Sequence, residues 1–282
     1  MIWSNPPVAA AQERLALALH LANGAAAVLR QHAGQLTGYD EKSPIDLVTA
    51  ADRASEAWIL GELQAAGLGD TVLAEERDGA EGVAALRARV HDLPWTWAID
   101  PLDGTTNFAH GYPAWCVSVG LLYHGQPVLG VVANPPRNEV VVGGVGIAPT
   151  CNGQPIAVSQ VATLSRALVV TGFPYDRRQR LPQLLGWLGA VLTTSHCVRR
   201  SGSAATDLCD LAMGRSDGFY EIGLKPWDLA AGHAIVRAAG GQLSNLDGAA
   251  HDVFAANTVA SNGRVHGELV ALLGRTGLPS HA

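Results

Sequence analysis

One segment of the sequence is predicted to run from a buried strand directly into a turn that is rich in carboxylates. It reads Trp97-Ala98-Ile99-Asp100-Pro101-Leu102-Asp103-Gly104-Thr105-Thr106-Asn107-Phe108. Proline and glycine are the usual residues of a tight turn. Such a turn can aim Asp100, Asp103 and the Leu102 carbonyl at one point, and Gly104 lets the backbone come close to a ligand.

The two threonines after this turn are predicted to open a helix. Thr105 and Thr106 would begin it, and the free N–H groups of its first turn would face an anion. Carboxylates beside an anion site make sense only if cations lie between them, because bare carboxylates would repel a phosphate. Taken alone, an aspartate turn that caps a helix without any chemistry explains the motif equally well.

The sequence before this stretch predicts two helices, a loop and a strand. Residues 7–33 are rich in Ala and Leu at helical spacing and end at Gly34, whereas residues 41–46 contain a proline and are predicted to be a loop. Thr49 or Asp52 is predicted to cap the helix that follows. A short strand at residues 71–74 then ends at Glu75-Glu76.

The sequence after this stretch predicts a β-meander and then alternating strands and helices. Short turns favour antiparallel pairing of the meander strands, at residues 117–123, 128–133 and 139–145. The later elements are a strand at 167–171 and helices at 181–192, 204–213 and 229–239. We therefore predict an antiparallel-sheet α+β half over residues 1–150 and a mixed-sheet α/β half over residues 151–282.

Composition and charge exclude several classes of protein. The 282 residues are 48% hydrophobic and 16% charged, which indicates a folded core of one large domain or two joined ones. A net charge of −6 argues against a nucleic-acid binder and permits clusters of carboxylates, which suit hard cations. The four cysteines form no Cys-x-x-Cys pair, so neither a zinc ribbon nor a disulfide framework is expected.

No apolar run reaches the roughly 18–20 residues that a membrane span needs. The Ala- and Leu-rich residues 14–29 resemble the core of a signal peptide, but Leu15, Leu19 and Leu29 fall at helical spacing. We interpret this stretch as part of the first helix, and we expect no contact with a membrane.

The other acidic clusters each have an ordinary structural explanation. Glu75-Glu76 reads as a solvated pair of charges at a strand end. Asp228 precedes a helix of small residues and is well placed to cap it, and capping also explains Asp46 and Asp52. Each cluster alone is weak evidence for a site.

Together, these clusters form an ordered series that resembles the inositol monophosphatase family of magnesium-dependent, lithium-sensitive phosphatases, and the bacterial inositol-1-monophosphatases most of all. Residues 100–108 match the first family signature and residues 225–232 match the second. The shorter family blocks are matched, in the expected order, by residues 46–52, 75–76, 171–175 and 218–221. The similarity extends from about residue 15 to residue 273, which is nearly the whole chain.

The resemblance implies a layered sugar-phosphatase fold, an αβαβα sandwich, with a site for two to three Mg²⁺ ions. Glu75, Asp100 and the Leu102 carbonyl would hold one ion. Asp100 would bridge to a second ion, which Asp103 and Asp228 also hold, and Glu75 would help with a weaker third ion through water. Most ligands thus lie in the first half, and Asp228 comes from the second.

The resemblance also implies the catalytic groups. Thr105 and Asp52 would position or deprotonate the attacking water, because a threonine hydroxyl bonded to a carboxylate can relay a proton. Glu75 is the third catalytic residue. The backbone N–H groups of Gly104 and Thr105 would hold the phosphate.

The alcohol part of the substrate is expected against the second half. By resemblance, Glu221 accepts hydrogen bonds from its hydroxyls, Gly202, Ser203 and Ala204 line the same pocket, and Asp228 also contacts the substrate. Capping of a helix explains Ser203 equally well, and simple packing explains Ala204 equally well.

Two residues have no settled part in this scheme. Lys42 resembles a family lysine in the loop before Asp46, although its spacing to Asp46 is one residue short of some members. Glu76 has no direct ligand role, since only Glu75 aligns with the ligand.

The predicted function is Mg²⁺-dependent hydrolysis of inositol monophosphate, or of a similar small polyol phosphate, by metal-activated water. A relative that acts on histidinol phosphate or fructose 1,6-bisphosphate is the main alternative. A non-catalytic or additional regulatory binding role is less favoured, because the metal carboxylates are all present. We expect a cytoplasmic homodimer that is inhibited by lithium, with a small phosphate ester as its partner and no nucleic acid.

Overall fold

The fold is seen in a computed structural model, which describes residues 8–34, 40–43, 46–90, 93–255 and 257–277; for residues 40–43, 46–48 and 277 it describes the backbone alone. The helices are α1 (Val8–His32), α2 (Ala50–Ala66), α3 (Glu75–Asp78), α4 (Val83–Val90), α5 (Thr105–Ala109), α6 (Leu181–Thr194), α7 (Ala204–Ala212), α8 (Pro226–Ala238) and α9 (His266–Gly277).

The strands of the first half are β1 (Asp40–Ser43), β2 (Asp46–Val48), β3 (Thr71–Ala74), β4 (Trp95–Asp103), β5 (Cys116–Tyr123), β6 (Gln126–Asn134), β7 (Glu139–Gly144) and β8 (Ile147–Cys151). They are followed by β9 (Gln154–Pro155), β10 (Leu168–Thr171), β11 (Cys197–Arg199), β12 (Gly218–Ile222), β13 (Gln242–Ser244) and β14 (Asn257–Ser261). The predicted meander and the later helices are confirmed to within a few residues.

Two larger sheets carry the fold. The first has seven strands in the order β3 to β9, of which β3 and β4 run parallel and every later neighbour is antiparallel. The second has five strands in the order β11-β10-β12-β14-β13 and is mixed, since β10 runs parallel to β11 and β12 while β14 is antiparallel to β12 and β13.

Three hydrophobic cores lie between the layers of the fold. The first joins α1 and α2 to one face of the seven-stranded sheet. The second joins its other face to α7, α8 and the five-stranded sheet, and the third joins that sheet to α6 and α9. Trp97 and Ile99 lie in the first core and Ala98 in the second, as the alternation of a strand requires. The order of layers is α, β, α, β, α, which confirms the predicted sandwich.

Helix α8 lies unusually close to the seven-stranded sheet, and two glycines permit this. A Cβ on Gly120 in β5 would stand 2.5 Å from the Cβ of Ala230, and one on Gly130 in β6 would collide with the Ala231 carbonyl. Hydrogen at these two positions therefore lets the backbone of the helix rest on the strands, which brings the start of α8 close to the end of β4.

One predicted element is wrong. Residues 41–46 were expected to form a loop, but β1 and β2 pair antiparallel, with Asp40 opposite Val48 and Glu41 opposite Leu47. Polar residues of low β propensity give little sign of a strand, and here the pairing is purely local. The interpretation of residues 14–29 as part of a helix is confirmed, since α1 buries its alanines and leucines in the first core. No helix within the described ranges is long and apolar enough to cross a membrane.

Candidate functional site

A bulge at the end of β4 sets the direction of the first two acidic side chains. Asp100 lies opposite Ser118 and Asp103 lies opposite Cys116, so β4 has one residue more than β5 between these pairs. The Leu102 N–H donates to Asp100 Oδ1 at 2.9 Å and holds the turn. Bulges re-aim side chains where a sheet ends, and this one explains how two acids three residues apart serve one place.

Gly104 makes the turn into α5 possible. Its φ of 93° is left-handed, and a Cβ there would stand 2.8 Å from the Ala114 carbonyl oxygen. Thr105 then begins α5, as predicted, although the helix has only five residues. The Phe108 N–H donates to the Gly104 carbonyl at 3.0 Å and closes this single turn.

Thr105 is tied to a buried carboxylate on another helix. Its Oγ1 lies 2.9 Å from Asp52 Oδ1 and 3.1 Å from the Leu102 carbonyl oxygen. Asp52 is fully buried, and its Oδ2 accepts from the Thr49 N–H at 2.8 Å and from the Thr49 hydroxyl at 2.6 Å. Thr49 is the N-cap of α2, so the predicted cap is confirmed, and the capping box also fixes Asp52 toward Thr105.

The acids predicted as metal ligands act on one another. Asp100 is 2% exposed, and burial followed by the charges of Glu75, Asp103 and Asp228 raises its pKa well above the ordinary value. A hydrogen bond between the carboxyls of Asp100 and Glu75 raises it further. Glu75 is the first residue of α3, directly after β3. Three acids, on α3, β4 and α8, therefore lie within electrostatic reach of Asp100.

The second half of the chain completes this group through two helix N-termini. Asp228 lies in the first turn of α8, and its Oδ2 accepts from the Lys225 N–H at 2.7 Å, so capping is indeed one of its roles. Asp103 Oδ2 accepts from the Ser203 hydroxyl at 2.8 Å and from the Ala205 N–H at 2.7 Å, at the start of α7. Asp103 thus fastens β4 to α7.

Glu221 lies on β12, beside a glycine that leaves room for its carboxyl. A Cβ on Gly172 would collide with that carboxyl, so no larger residue fits at 172 while Glu221 keeps its position. Burial and the charges of Asp207, Asp228 and Asp103 raise the pKa of Glu221 well above its ordinary value, and Arg200 opposes them. Glu221 is therefore close to the same acids.

Asp207 is a residue that the sequence reasoning missed. It is 3% exposed on α7, and burial raises its pKa well above the ordinary value although the Ser201 hydroxyl donates to it at 2.6 Å. The available signal was an acid on a helix among small and apolar neighbours, Thr206 and Leu208, where a carboxylate is seldom placed without a purpose.

The other predicted pocket residues differ in what they contact. Ser203 is the N-cap of α7, but its hydroxyl binds Asp103 and not the first backbone N–H groups of the helix. Ala204 is 7% exposed and packs in the second core. Gly202 adopts a left-handed φ of 92° in the loop before α7. The Glu76 N–H donates to Glu56 Oε2 at 2.7 Å. The side chains of Lys42 and Asp46 lie outside the described residues.

The chemistry of the donors fits a hard divalent cation. The carboxylates of Glu75, Asp100, Asp103 and Asp228 and the Leu102 carbonyl are all oxygen donors, and the largest influences on Asp100 all raise its pKa, so a cation nearby would be stabilised. As they stand, no three His, Cys, Asp or Glu side chains of the described ranges form a ready-made metal cluster.

Comparisons with known proteins agree with one another. The sequence pattern of the inositol monophosphatase family matches residues 10–276. An inositol-1-monophosphatase of Synechocystis sp. is 46% identical over 231 residues, which are 82% of this chain and 78% of that protein. A Nus factor SuhB of Escherichia coli K12 is 37% identical over 225 residues, which are 80% of this chain and 81% of that protein.

A solved structure is similar over nearly the whole chain. The inositol monophosphatase from Anabaena (Nostoc) sp. PCC 7120 superposes with a TM-score of 0.83 at 38% sequence identity. The match covers 95% of this chain and 97% of that one.

Proposed function

Because the chain belongs to the inositol monophosphatase family, we propose that it hydrolyses inositol monophosphate, or a similar small polyol phosphate, to the alcohol and inorganic phosphate. Members of this family are phosphoric monoester hydrolases and generally depend on metal ions. The observation that carries the proposal is the meeting of four acids at Asp100, beside the hydrogen-bonded pair of Thr105 and Asp52.

The proposed metal ligands are the oxygen atoms of the acids around Asp100 and of the Leu102 carbonyl. Glu75, Asp100 and the Leu102 carbonyl would hold one Mg²⁺ ion, and Asp100, Asp103 and Asp228 a second, with Glu75 supporting a third through water. Bound cations neutralise phosphoryl oxygens and lower the pKa of water, so that a nucleophile exists at neutral pH.

The chain's own groups would orient the reaction. Thr105 would hold the attacking water, and Asp52, which keeps the threonine hydroxyl in place at 2.9 Å, would receive its proton. The N–H groups of Gly104 and Thr105 would hold the phosphate. As the water oxygen bonds to phosphorus, the ester P–O bond breaks, and the leaving alkoxide takes up a proton.

The alcohol would rest against the second half of the chain. Glu221 is the group proposed to accept hydrogen bonds from its hydroxyls, with Gly202, Ala204 and Asp228 beside it. Ser203 was expected in the same pocket, but its hydroxyl contacts Asp103.

The finer properties are proposals as well. We propose Mg²⁺ as the ion, two to three ions per chain, inhibition by lithium at one of the Mg²⁺ positions, a homodimer, a cytoplasmic location and no nucleic-acid partner. The family relation supports the proposals on metal, lithium, dimer and location. The net charge of −6 supports the absence of a nucleic-acid partner.

A phosphate-release assay tests the function. The purified full chain is given inositol 1-phosphate, histidinol phosphate, fructose 1,6-bisphosphate and an aryl phosphate, each with Mg²⁺ and with a chelator. We expect Mg²⁺-dependent release, fastest from the inositol ester. Release from none of the esters would overturn the proposal, and a strong preference for histidinol phosphate or fructose 1,6-bisphosphate would replace the substrate.

A variant tests the alcohol pocket. Glu221→Ala should raise KM for inositol 1-phosphate by about tenfold or more, since hydrogen bonds to its carboxyl group are lost, and should change hydrolysis of the aryl phosphate much less. Equal losses on both substrates would show that Glu221 does not read the alcohol.

A further inference from the structure

A buried row of hydroxyl and amide groups leads to Asp103. Ser203 Oγ lies 2.8 Å from Asp103 Oδ2 and 2.7 Å from Thr206 Oγ1. Asn134 Nδ2, at the end of β6, lies 3.3 Å from Thr206 Oγ1. Exposure of Ser203, Thr206 and Asn134 is 2%, 1% and 4%, so water does not compete for these bonds.

The direction of each hydrogen bond follows from the groups. A carboxylate only accepts, so the Ser203 hydroxyl must donate its one hydrogen to Asp103. The same hydroxyl also has the geometry of a donor toward Thr206 Oγ1, so Thr206 is a second, weaker acceptor of that hydrogen. The remaining acceptor of Thr206 faces the amide of Asn134, which donates. The row therefore connects the end of β6 to Asp103 through Thr206 and Ser203.

The surroundings of Asp103 leave this row little freedom. The Ala205 N–H also donates to Oδ2, at 2.7 Å. The buried Cys116 Sγ lies 3.9 Å from Asp103 Oδ2 and 3.7 Å from Ser203 Oγ, which closes the remaining side of the hydroxyl. If the Thr206 hydroxyl is removed, the Ser203 hydroxyl loses one of the partners that fix its rotation.

We propose that Ser203 is a positioning residue for Asp103, and that the row Asn134–Thr206–Ser203 fixes the Asp103 carboxylate in the orientation in which its other oxygen can hold a divalent cation. The inference rests on the proposed function, in which Asp103 is a metal ligand. It assigns Ser203 to the metal side of the site instead of the alcohol pocket, and it gives Thr206 and Asn134 a role that nothing in their sequence signals. Partners of metal ligands set ligand orientation and affinity in this way.

The test changes Thr206, the middle residue of the row. Thr206→Val keeps the shape of the side chain but removes the hydroxyl, whereas Thr206→Ser keeps it. Thr96→Val is the matched control, because Thr96 is also buried, on β4, and its hydroxyl has no hydrogen-bond partner among the described residues. Mg²⁺ binding to the full chain is measured by calorimetry without substrate, and again as the Mg²⁺-dependent rise in the thermal midpoint.

We expect Thr206→Val to weaken Mg²⁺ binding by about tenfold, within the usual range for partners of metal ligands, while Thr206→Ser and Thr96→Val stay within about twofold of the parent. Unchanged Mg²⁺ affinity in folded Thr206→Val overturns the proposal. Should that variant not fold, Ser203→Ala and Ser203→Thr are compared in its place, and only the alanine should weaken binding. A higher KM for inositol 1-phosphate at saturating Mg²⁺, with unchanged Mg²⁺ affinity, would return Ser203 to the alcohol pocket and also overturn it.

The outcomes separate this inference from the function. Suppose that the parent chain binds Mg²⁺ and that Thr206→Val weakens this binding, but that no ester releases phosphate. The inference about the row is then retained and the proposed function is overturned. Suppose instead that the parent chain hydrolyses the ester and that Thr206→Val binds Mg²⁺ as tightly as the parent. The proposed function is then retained and the inference about the row is overturned. A parent chain that binds no Mg²⁺ overturns both.

Discussion

Asp78 and Asp100 are both buried, but their surroundings are opposite. Asp78 ends α3, and although burial raises its pKa, hydrogen bonds from Arg77, the Ala74 N–H and Arg89 outweigh burial and lower the pKa below its ordinary value. Asp100 is equally buried but faces other acids, and its pKa is raised well above the ordinary value. Glu75, at the other end of α3, belongs with Asp100.

The contrast separates acids that hold the fold from acids that are kept for a ligand. Further from the site, two more acids have arginine partners: Arg14 binds Asp70, and Arg137 and Arg215 bind Asp210 at 2.7 and 3.1 Å. Burial of acids without a nearby cation destabilises the chain unless something else gains from it. The place where this cost is accepted is the candidate site.

The strongest way to break the comparison is Asp100→Asn. Loss of the shared ligand should reduce phosphate release by about 1,000-fold or more, because several kcal/mol of transition-state stabilisation disappear. In a chelator, the thermal midpoint should not fall, since a repelling charge has also been removed. Near-normal release would refute the bridging role, and a large drop in the midpoint would mean that Asp100 holds the fold as Asp78 does.

Asp78→Asn should destabilise the fold, in contrast to Asp100→Asn. It leaves Arg77 and Arg89 without their buried partner, and we expect a loss of about 2 kcal/mol in the free energy of unfolding, measured by urea denaturation. Glu81→Gln is the control, because the pair of Arg89 and Glu81 is half-exposed and worth less than about 1 kcal/mol. Equal stability of the two variants would remove the distinction between the paired acids.

A buried pair of histidines extends the comparison to bases. His233 Nδ1 lies 2.9 Å from His251 Nδ1, and burial lowers the pKa of both rings, that of His251 to about 4. Both are neutral in the folded chain, whereas the unfolded chain takes up protons from about pH 6.5. Stability should therefore fall as the pH drops from about 6.5 to 4, by about 1–2 kcal/mol between pH 7 and 5 for His251 alone.

The pH series is measured as the unfolding free energy of the parent and of His251→Asn. The variant should lose part of the slope between pH 6.5 and 4.5, while His196→Asn, at an exposed position, should keep it. Identical slopes in all three proteins would mean that the histidine pair does not resist protonation.

The smallest effect is expected at an exposed pair. Asp176 and Arg180 lie four residues apart in the turn before α6, and 39% and 49% of their side chains are exposed. Asp176→Asn should change the free energy of unfolding by less than about 0.5 kcal/mol in urea denaturation. A loss as large as that of Asp78→Asn would show that exposure does not decide what a charge pair contributes here.

Much of the fold was predictable because its signals are local. Turn residues and alternating hydrophobicity located the meander strands, and helical spacing located α1 and α6 to α8. The hairpin of β1 and β2 was not found, since its residues carry no alternation. The stacking of layers depends on contacts between residues far apart in sequence, so it came from family resemblance and not from any pattern in the chain.

For the site, candidate residues could be predicted from the sequence, but their contacts could not. The turn at 100–104 predicts where Asp100 and Asp103 point, because proline, glycine and a bulge constrain it locally. Nothing local could predict that Ser203, a hundred residues further on, donates to Asp103, or that Asp207 is buried beside them. Such partners are fixed only when α7 docks on the sheet. The roles of these residues stay predictions until they are measured.

The two glycines beneath α8 have a consequence for anyone who would engineer this chain. Replacing glycine by alanine within regular structure is a common route to greater stability. At Gly120 and Gly130 it would act as a spacer, lifting the helix away from the strands and carrying Asp228 with it. The separation between Asp228 and the acids on β4 therefore depends on the absence of a Cβ at Gly120 and Gly130, two residues that would not contact the cation themselves.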